Sequence, residues 1–203
     1  MKIAVIGASG NAGSRITVEL ARRGHAVTAI ARHANAIAVQ AGVTPIQADI
    51  ADRASLAAAV AGHDVVVHSV HFLVTNLPNV VAALKTASVK RLLVVGGAGS
   101  LQVAPGVDLV DTPEFPPIYK AESLAGREFL SALRNEHDLD WTFISPSAFF
   151  APGERTGKFR LGTDTLLVAK NGESSISMED FAIALVDEIE TPKHVRARFT
   201  VGY

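Results

Sequence analysis

Lys2-Ile3-Ala4-Val5-Ile6 runs directly into Gly7-Ala8-Ser9-Gly10-Asn11-Ala12-Gly13, which opens an amphipathic stretch reaching Arg23. A short β-branched run, a glycine-rich turn and a helical period in that order predict a strand–turn–helix unit. Such a turn must start without a Cβ and bring backbone N–H groups close to a diphosphate. It must also aim the partial positive charge of a helix N-terminus at that anion. Gly7, Ala8, Ser9, Gly10, Asn11, Ala12 and Gly13 satisfy each demand and are the predicted phosphate loop. The competing account is a tight turn that packs a helix and binds nothing.

The same alternation continues outward. Strand-like runs at Ala26 to Ile30, Thr44 to Ala48, Val65 to His68, Leu92 to Val95 and Trp141 to Ile144 alternate with helical stretches. Those stretches are a short one reaching Ala41, then Arg53 to Ala61, Leu77 to Ala87 and Ile118 to Asn135. Strand and helix repeated this often predict an α/β fold: a Rossmann-type, doubly wound parallel sheet with helices on both faces. At 203 residues, one domain spanning 1–203 is expected. The rhythm breaks after Ile144, and residues 148–180 are expected to form a small C-terminal cap. In it, Lys158 to Leu161, Leu166 to Ala169 and Ser174 to Ile176 read as strands, with Asn171-Gly172 as a hairpin turn between the last two. Ser177 followed by Asp180 resembles a capping box opening a last helix to about Glu190, which packs either on its own domain or on a second copy. Arg198 to Val201 reads as the closing strand.

Composition narrows the function classes. Hydrophobic residues make up 48% and charged residues 19%, which excludes a disordered chain. A net charge of -1 lacks the basic footprint of a non-specific nucleic-acid or anionic-membrane binder. With zero cysteines there is no disulfide, thiolate metal site or cysteine nucleophile. His63, His68 and His71 are spaced five and three apart with no helix to align them, so no metal site is expected. Neither a leader nor a membrane-spanning apolar run is visible, and the expectation is a cytoplasmic protein with a small-molecule substrate and no nucleic-acid or membrane partner. Monomer and homodimer stay equally open.

An acidic residue about twenty positions past the glycine loop would read the ribose hydroxyls of NAD, yet no Asp or Glu lies between Glu19 and Asp49. Arg32 stands there instead, at the end of the second strand, where a guanidinium suits the 2′-phosphate of NADP. NADP(H) is therefore preferred over NAD(H). Asp49 and Ile50 after the third strand either flank the adenine or, for Asp49, cap the next helix.

The segments GASGNAG (7–13), LLVVGGAGS (92–100), LDWTFISPS (139–147) and FFAPGERTGKFRLG (149–162) resemble the atypical short-chain dehydrogenase/reductases of the NAD(P)H-binding, NADH-flavin reductase group, relatives of NmrA-like proteins and of biliverdin reductase B. The resemblance covers nearly the whole chain. It implies a bound nicotinamide cofactor, a flavin or related ring as hydride acceptor, and, with the strand order, a nicotinamide near Ser69, Val70, Gly96, Gly97, Ala98, Pro146 and Ser147. Where catalytic members of the wider superfamily carry Y-x-x-x-K, Tyr119 is followed at plus four by Ser123, and Lys120 is adjacent to it on another helix face. Flavin reduction tolerates that loss, because hydride transfer to the ring yields a hydroquinone anion stable near neutral pH. Candidates on the acceptor side are His71, Phe72, Ser100, Tyr119, Phe149 and Phe150; no catalytic residue is firmly assigned among His71, Ser100 and Tyr119. Phe149 and Phe150 either stack on a planar substrate or belong to the core. Arg155, Lys158 and Arg160 either meet an acidic substrate or form a solvated face of the cap. A non-catalytic NADP(H) sensor of the NmrA type is the alternative reading, and a nucleotide-sugar epimerase holding NAD is the third.

Overall fold

The computed structural model describes residues 1–203. In chain order, the elements are β1 (Lys2–Ile6), α1 (Asn11–Arg22), β2 (Ala26–Ala31), β3 (Val43–Gln47), α2 (Arg53–Val60), β4 (Val65–His68), α3 (Leu77–Thr86) and β5 (Arg91–Val95). Then follow β6 (Gln102–Ala104), β7 (Val107–Asp108), α4 (Pro117–Arg134), β8 (Asp140–Pro146), β9 (Phe149–Ala151), β10 (Arg160–Gly162), β11 (Ser175–Ser177), α5 (Met178–Glu190) and β12 (Ala197–Gly202). Eight strands form one sheet in the order β3-β2-β1-β4-β5-β8-β12-β10, and all neighbours are parallel except β10, which runs antiparallel to β12. The order reverses between β1 and β4, as in a doubly wound Rossmann-type sheet. Pro45 sits in β3, an edge strand, where a residue without an N–H costs the ladder least.

Because both faces are covered, the central strands are apolar throughout rather than alternating. β4 reads Val65-Val66-Val67-His68 with every residue buried. Val65 and Val67 face the layer of α1 and α5, with Leu20, Phe181 and Leu185; Val66 faces the layer of α2, α3 and α4, with Leu56, Leu84 and Leu133. Burying a Leu or Phe in either layer contributes on the order of 2 kcal/mol. No helix is long and apolar enough to cross a membrane.

The structure departs from the sequence reading in three places. The stretch reaching Ala41 is a single 3₁₀ turn at Ala34–Ala36. Asn171-Gly172 does turn, with the Gly172 amide donating to Ala169 O, but no hairpin forms: Leu166 to Ala169 is not a strand, and β11 pairs in parallel with β9. A two-residue turn signal cannot compete with a partner strand already held nearby. The capping box is only half made. Ser177 Oγ accepts from the Asp180 amide, whereas the Ser177 amide donates to Tyr203 Oη. The Asp180 carboxylate is fully buried and accepts from the Thr156 and Gly157 amides, the Thr156 hydroxyl and the Tyr203 hydroxyl, tying residues 156–157 to the sheet end. Helix α5 packs against α1 on its own domain through Phe181, Leu185 and Ile189.

Candidate functional site

A cleft of about 640 Å³ runs across the carboxyl ends of β1, β2, β4 and β5, at the point where the strand order reverses. One end of it is built by the glycine loop. Gly7 has φ +83°, and a Cβ there would stand 2.1 Å from Ser69 O; at Gly13 a Cβ would stand 2.2 Å from Gly7 O. Only glycine lets the turn fold so tightly against β4 and then lets α1 start beside it. Gly10 caps α1 with no side chain bonded to the first turn and no acidic residue in it, and the Ser14 amide is the first to bond back, to Gly10 O. The Gly10 amide donates to Gly7 O, and the Asn11, Ala12 and Gly13 amides between it and Ser14 are free to receive an anion, reinforced by the helix dipole.

Gly7, Ser9, Gly10, Asn11 and Ala12 line the cleft, while Ala8 is buried beneath the turn and Gly13 packs behind it. Arg32 lines the cleft at the end of β2, exposed, with no hydrogen bond or ion pair to another residue. Asp49 and Ile50 form the wall opposite. The N-cap of α2 is Asp52, which accepts from the Ala54 and Ser55 amides; Asp49 holds a local turn by accepting from the Ala51 amide. The helix-capping alternative for Asp49 is thereby excluded.

Farther along the cleft come Ser69, Val70, Gly96 and Gly97. Ala98, Pro146 and Ser147 do not line it, and the Ser147 hydroxyl is buried, donating to Val201 O. Ser100 reaches the wall, but its hydroxyl already accepts from Arg198, whose guanidinium is also paired with Asp164. Phe150 lines the cleft and packs on Phe181 with ring centroids 4.8 Å apart, whereas Phe149, on the opposite face of β9, is exposed and outside the cleft. Phe72 closes the apolar wall against Phe129 and Phe143. Of the basic cap residues, Arg155 is paired with the nearly buried Glu19, and Arg160 donates to Val168 O and Tyr203 O; neither faces the cleft. Glu19 is held below the usual carboxylate range by the Arg155 and Arg23 guanidinium groups, which overcome its desolvation.

Tyr119 is exposed near the start of α4, outside the cleft and without a hydrogen bond. Tyr119→Phe is accordingly expected to leave oxidation of NAD(P)H by this protein within about twofold of wild type. Steady-state rates check this: a loss approaching the ~100-fold typical of a missing general acid would place the hydroxyl in the chemistry.

Sequence reasoning misses Glu122, Ser123 and Gly126, which α4 brings to the cleft one turn (Glu122, Ser123) and two turns (Gly126) beyond Tyr119. Ser123 lies so close to Gly99 that a Cβ on that glycine would meet it at 2.6 Å; a Cβ on Gly126 would meet Phe72 at 2.9 Å. The small residues at 123 and 126 were a visible sign that this face of the helix approaches another backbone. Glu122 accepts from the Phe72 and Leu73 amides at 2.6 and 3.2 Å, fixing the turn after β4, and lies 3.3 Å from His71 Nδ1. His63 and His68 turn elsewhere, to Thr28 and Thr75, and no cluster of three potential metal ligands forms.

The family described as NAD(P)H-binding matches residues 7–192 of this chain. Among solved structures, an exported protein, so named provisionally, from Burkholderia pseudomallei is 48% identical with TM-score 0.91, covering 100% of both chains. A Bacteroides thetaiotaomicron protein, named as a proposed epimerase, is 40% identical with TM-score 0.94, covering 100% of this chain and 96% of that one. A Streptococcus pneumoniae protein, named as a proposed NADH-flavin reductase, is 34% identical with TM-score 0.86, covering 100% and 99%.

Proposed function

Because the chain belongs to the NAD(P)H-binding family, we propose that it is an NAD(P)H-dependent oxidoreductase, preferring NADPH, that reduces a flavin or a similar planar acceptor. The observation that carries the cofactor reading is the uncapped start of α1 behind a turn that only Gly7 and Gly13 permit. Ser9, Asn11 and Ala12 would hold the diphosphate through backbone N–H groups and Asp49 and Ile50 would border the adenine. Arg32, with no other partner, would meet the 2′-phosphate. Gly97, where an added Cβ would stand in open space, leaves the backbone after β5 flush, so that a flat ring can lie against it, whereas at Gly96 an added Cβ would meet the Phe143 ring at 2.2 Å and the glycine serves packing.

Bound there, the cofactor supplies a hydride. The chain's own contribution is alignment and exclusion of water: Phe72, Phe150, Val74 and Met178 form an apolar wall against which a planar acceptor can stack. The name of the Streptococcus relative supports a flavin as acceptor. The epimerase named for the Bacteroides relative is less favoured here, because that chemistry abstracts a proton from a sugar carbinol, and Tyr119 stands outside the cleft.

The test is anaerobic mixing of protein, NADPH and FMN, with NADH and protein-free samples alongside. Protein-dependent bleaching of the flavin that is faster with NADPH supports the reading. Tight NADPH binding without bleaching would favour the sensor. Arg32→Ala is expected to weaken NADPH about ten- to 150-fold, the worth of a charge-assisted contact, and to change NADH little. Equal losses for both in calorimetric titration would overturn the 2′-phosphate assignment.

A further inference from the structure

Resting on that reading, we propose that His71, held by Glu122, delivers a proton to a carbonyl oxygen of the hydride acceptor, which extends the acceptors to conjugated carbonyl compounds such as quinones. A quinone differs from a flavin in a way that matters here: hydride arrival leaves a full charge on oxygen, and a positioned acid lowers the barrier.

The geometry points to His71 for three reasons. Its side chain is 85% exposed at the mouth of the cleft, between the Val70 floor and the Phe72 wall, and lines it. Its backbone is pinned, since His71 O accepts from Thr75 Oγ1 at 2.8 Å. Its Nδ1 faces a carboxylate, Glu122 Oε1, at 3.3 Å, while Nε2 has no protein partner. Glu122 is the one carboxylate within 4.0 Å of the ring and is immobilised by two backbone amides, so its charge stays beside the imidazole. A histidine at a cleft mouth with a carboxylate beside one nitrogen and the other nitrogen unpartnered is an arrangement that transfers protons.

The step balances as follows. A ring carbon of the acceptor conjugated with the carbonyl would receive the hydride, two electrons and one hydrogen nucleus; a C–H bond forms there as one breaks on the reduced nicotinamide, which is thereby oxidised. The carbonyl π pair moves onto oxygen as the acceptor is reduced, and the Nε2–H bond of the imidazolium breaks as an O–H bond forms. Neutral His71 then regains its proton from water at the cleft mouth. His71 is the catalytic residue in this step, and Glu122 is a positioning residue.

The experiment compares wild type, His71→Asn, His71→Gly and Glu122→Gln with menadione and with FMN as acceptors, alongside calorimetric NADPH binding. His71→Asn is expected to lower kcat for menadione about 100-fold relative to kcat for FMN, with KM for NADPH unchanged. Added imidazole should restore menadione reduction in His71→Gly, which no structural role for the side chain would produce. Glu122→Gln should lower the same kcat about tenfold with little change in KM. A readout independent of turnover is 4-nitrophenolate, a planar oxyanion, titrated into protein with NADP⁺: its affinity should fall at least tenfold in His71→Asn. Wild type that binds NADPH and reduces FMN but not menadione overturns this proposal and leaves the flavin reductase reading standing. So does a His71→Asn variant with an unchanged menadione-to-FMN ratio, or a His71→Gly variant that imidazole does not rescue. Protein that binds neither nucleotide overturns both.

Discussion

Gly7→Ala should cost the protein several kcal/mol and with it the cofactor site. At φ +83° an alanine pays about 1–2 kcal/mol for the left-handed backbone alone. Its Cβ would also stand 2.1 Å from Ser69 O and 2.8 Å from Ser69 C, and those atoms belong to the chain leaving β4, not to a side chain that can swing away. Relief requires moving β1 and β4 apart at their carboxyl ends, which adds about 1–3 kcal/mol of strain and opens the turn that aims the α1 amides. Gly24 isolates the two contributions. It has φ +80° and nothing within 4 Å of the added carbon, so Gly24→Ala pays the backbone cost and no steric one. Urea unfolding of both variants, with NADPH titrations of each, checks the argument. Gly7→Ala no less stable than Gly24→Ala would show that the contact with β4 is soft.

A second large effect comes from His68, at the end of β4. Its ring is fully buried, stacked with Phe72 and tilted against Phe129 on the α4 side of the sheet. Thr75 Oγ1 gives its single proton to His71 O, so His68 Nε2 must donate to Thr75, at 3.1 Å, which leaves Nδ1 a bare and unpartnered acceptor. No charged group stands beside it, and desolvation, only partly offset by the residue's own backbone, pulls the pKa from 6.5 down to about 4. The folded protein therefore holds this ring neutral, while the unfolded chain takes up a proton below about pH 6.5. The stability contributed by the neutral ring is present above that pH and is lost as the pH falls to about 4, for a total of about 3 kcal/mol. Chemical unfolding at pH 7, 6, 5 and 4 should show this loss in wild type and a flatter profile in His68→Leu. Parallel profiles would show that the imidazole is reached by water or a counter-charge.

Both residues illustrate why legibility was uneven. The turn from Gly7 to Gly13 could be read from sequence because its requirements are local: the turn, the absent Cβ and the helix start lie within seven consecutive residues. Arg32 was legible for a related reason. The second strand of such a unit has a nearly fixed length, so its end falls at a countable distance from the glycines, and the acid-free stretch before Asp49 is a fact of the sequence. Phe149 and Phe150 were not separable in the same way. Neighbours in a strand point to opposite faces, but which face meets the cleft depends on β9 pairing with β11, twenty-six residues later.

The acceptor end shows the limit most clearly. Tyr119 drew notice because of a pattern expected around it, yet it sits on the exposed side of α4, and the residues that turn inward are Glu122, Ser123 and Gly126. The meeting of Glu122 with His71 joins residues about fifty apart in the chain.

By itself the sequence determined the alternating architecture, the glycine turn and the cation at the end of the second strand, because hydrophobic period and turn chemistry act over a few residues. Only the tertiary structure decided the rotation of α4 about its axis, the burial of His68 and the pairing of Glu122 with His71. Those follow from how helices pack across a sheet, where the free energy is spread over many apolar contacts and no short stretch of chain carries enough of it to be read.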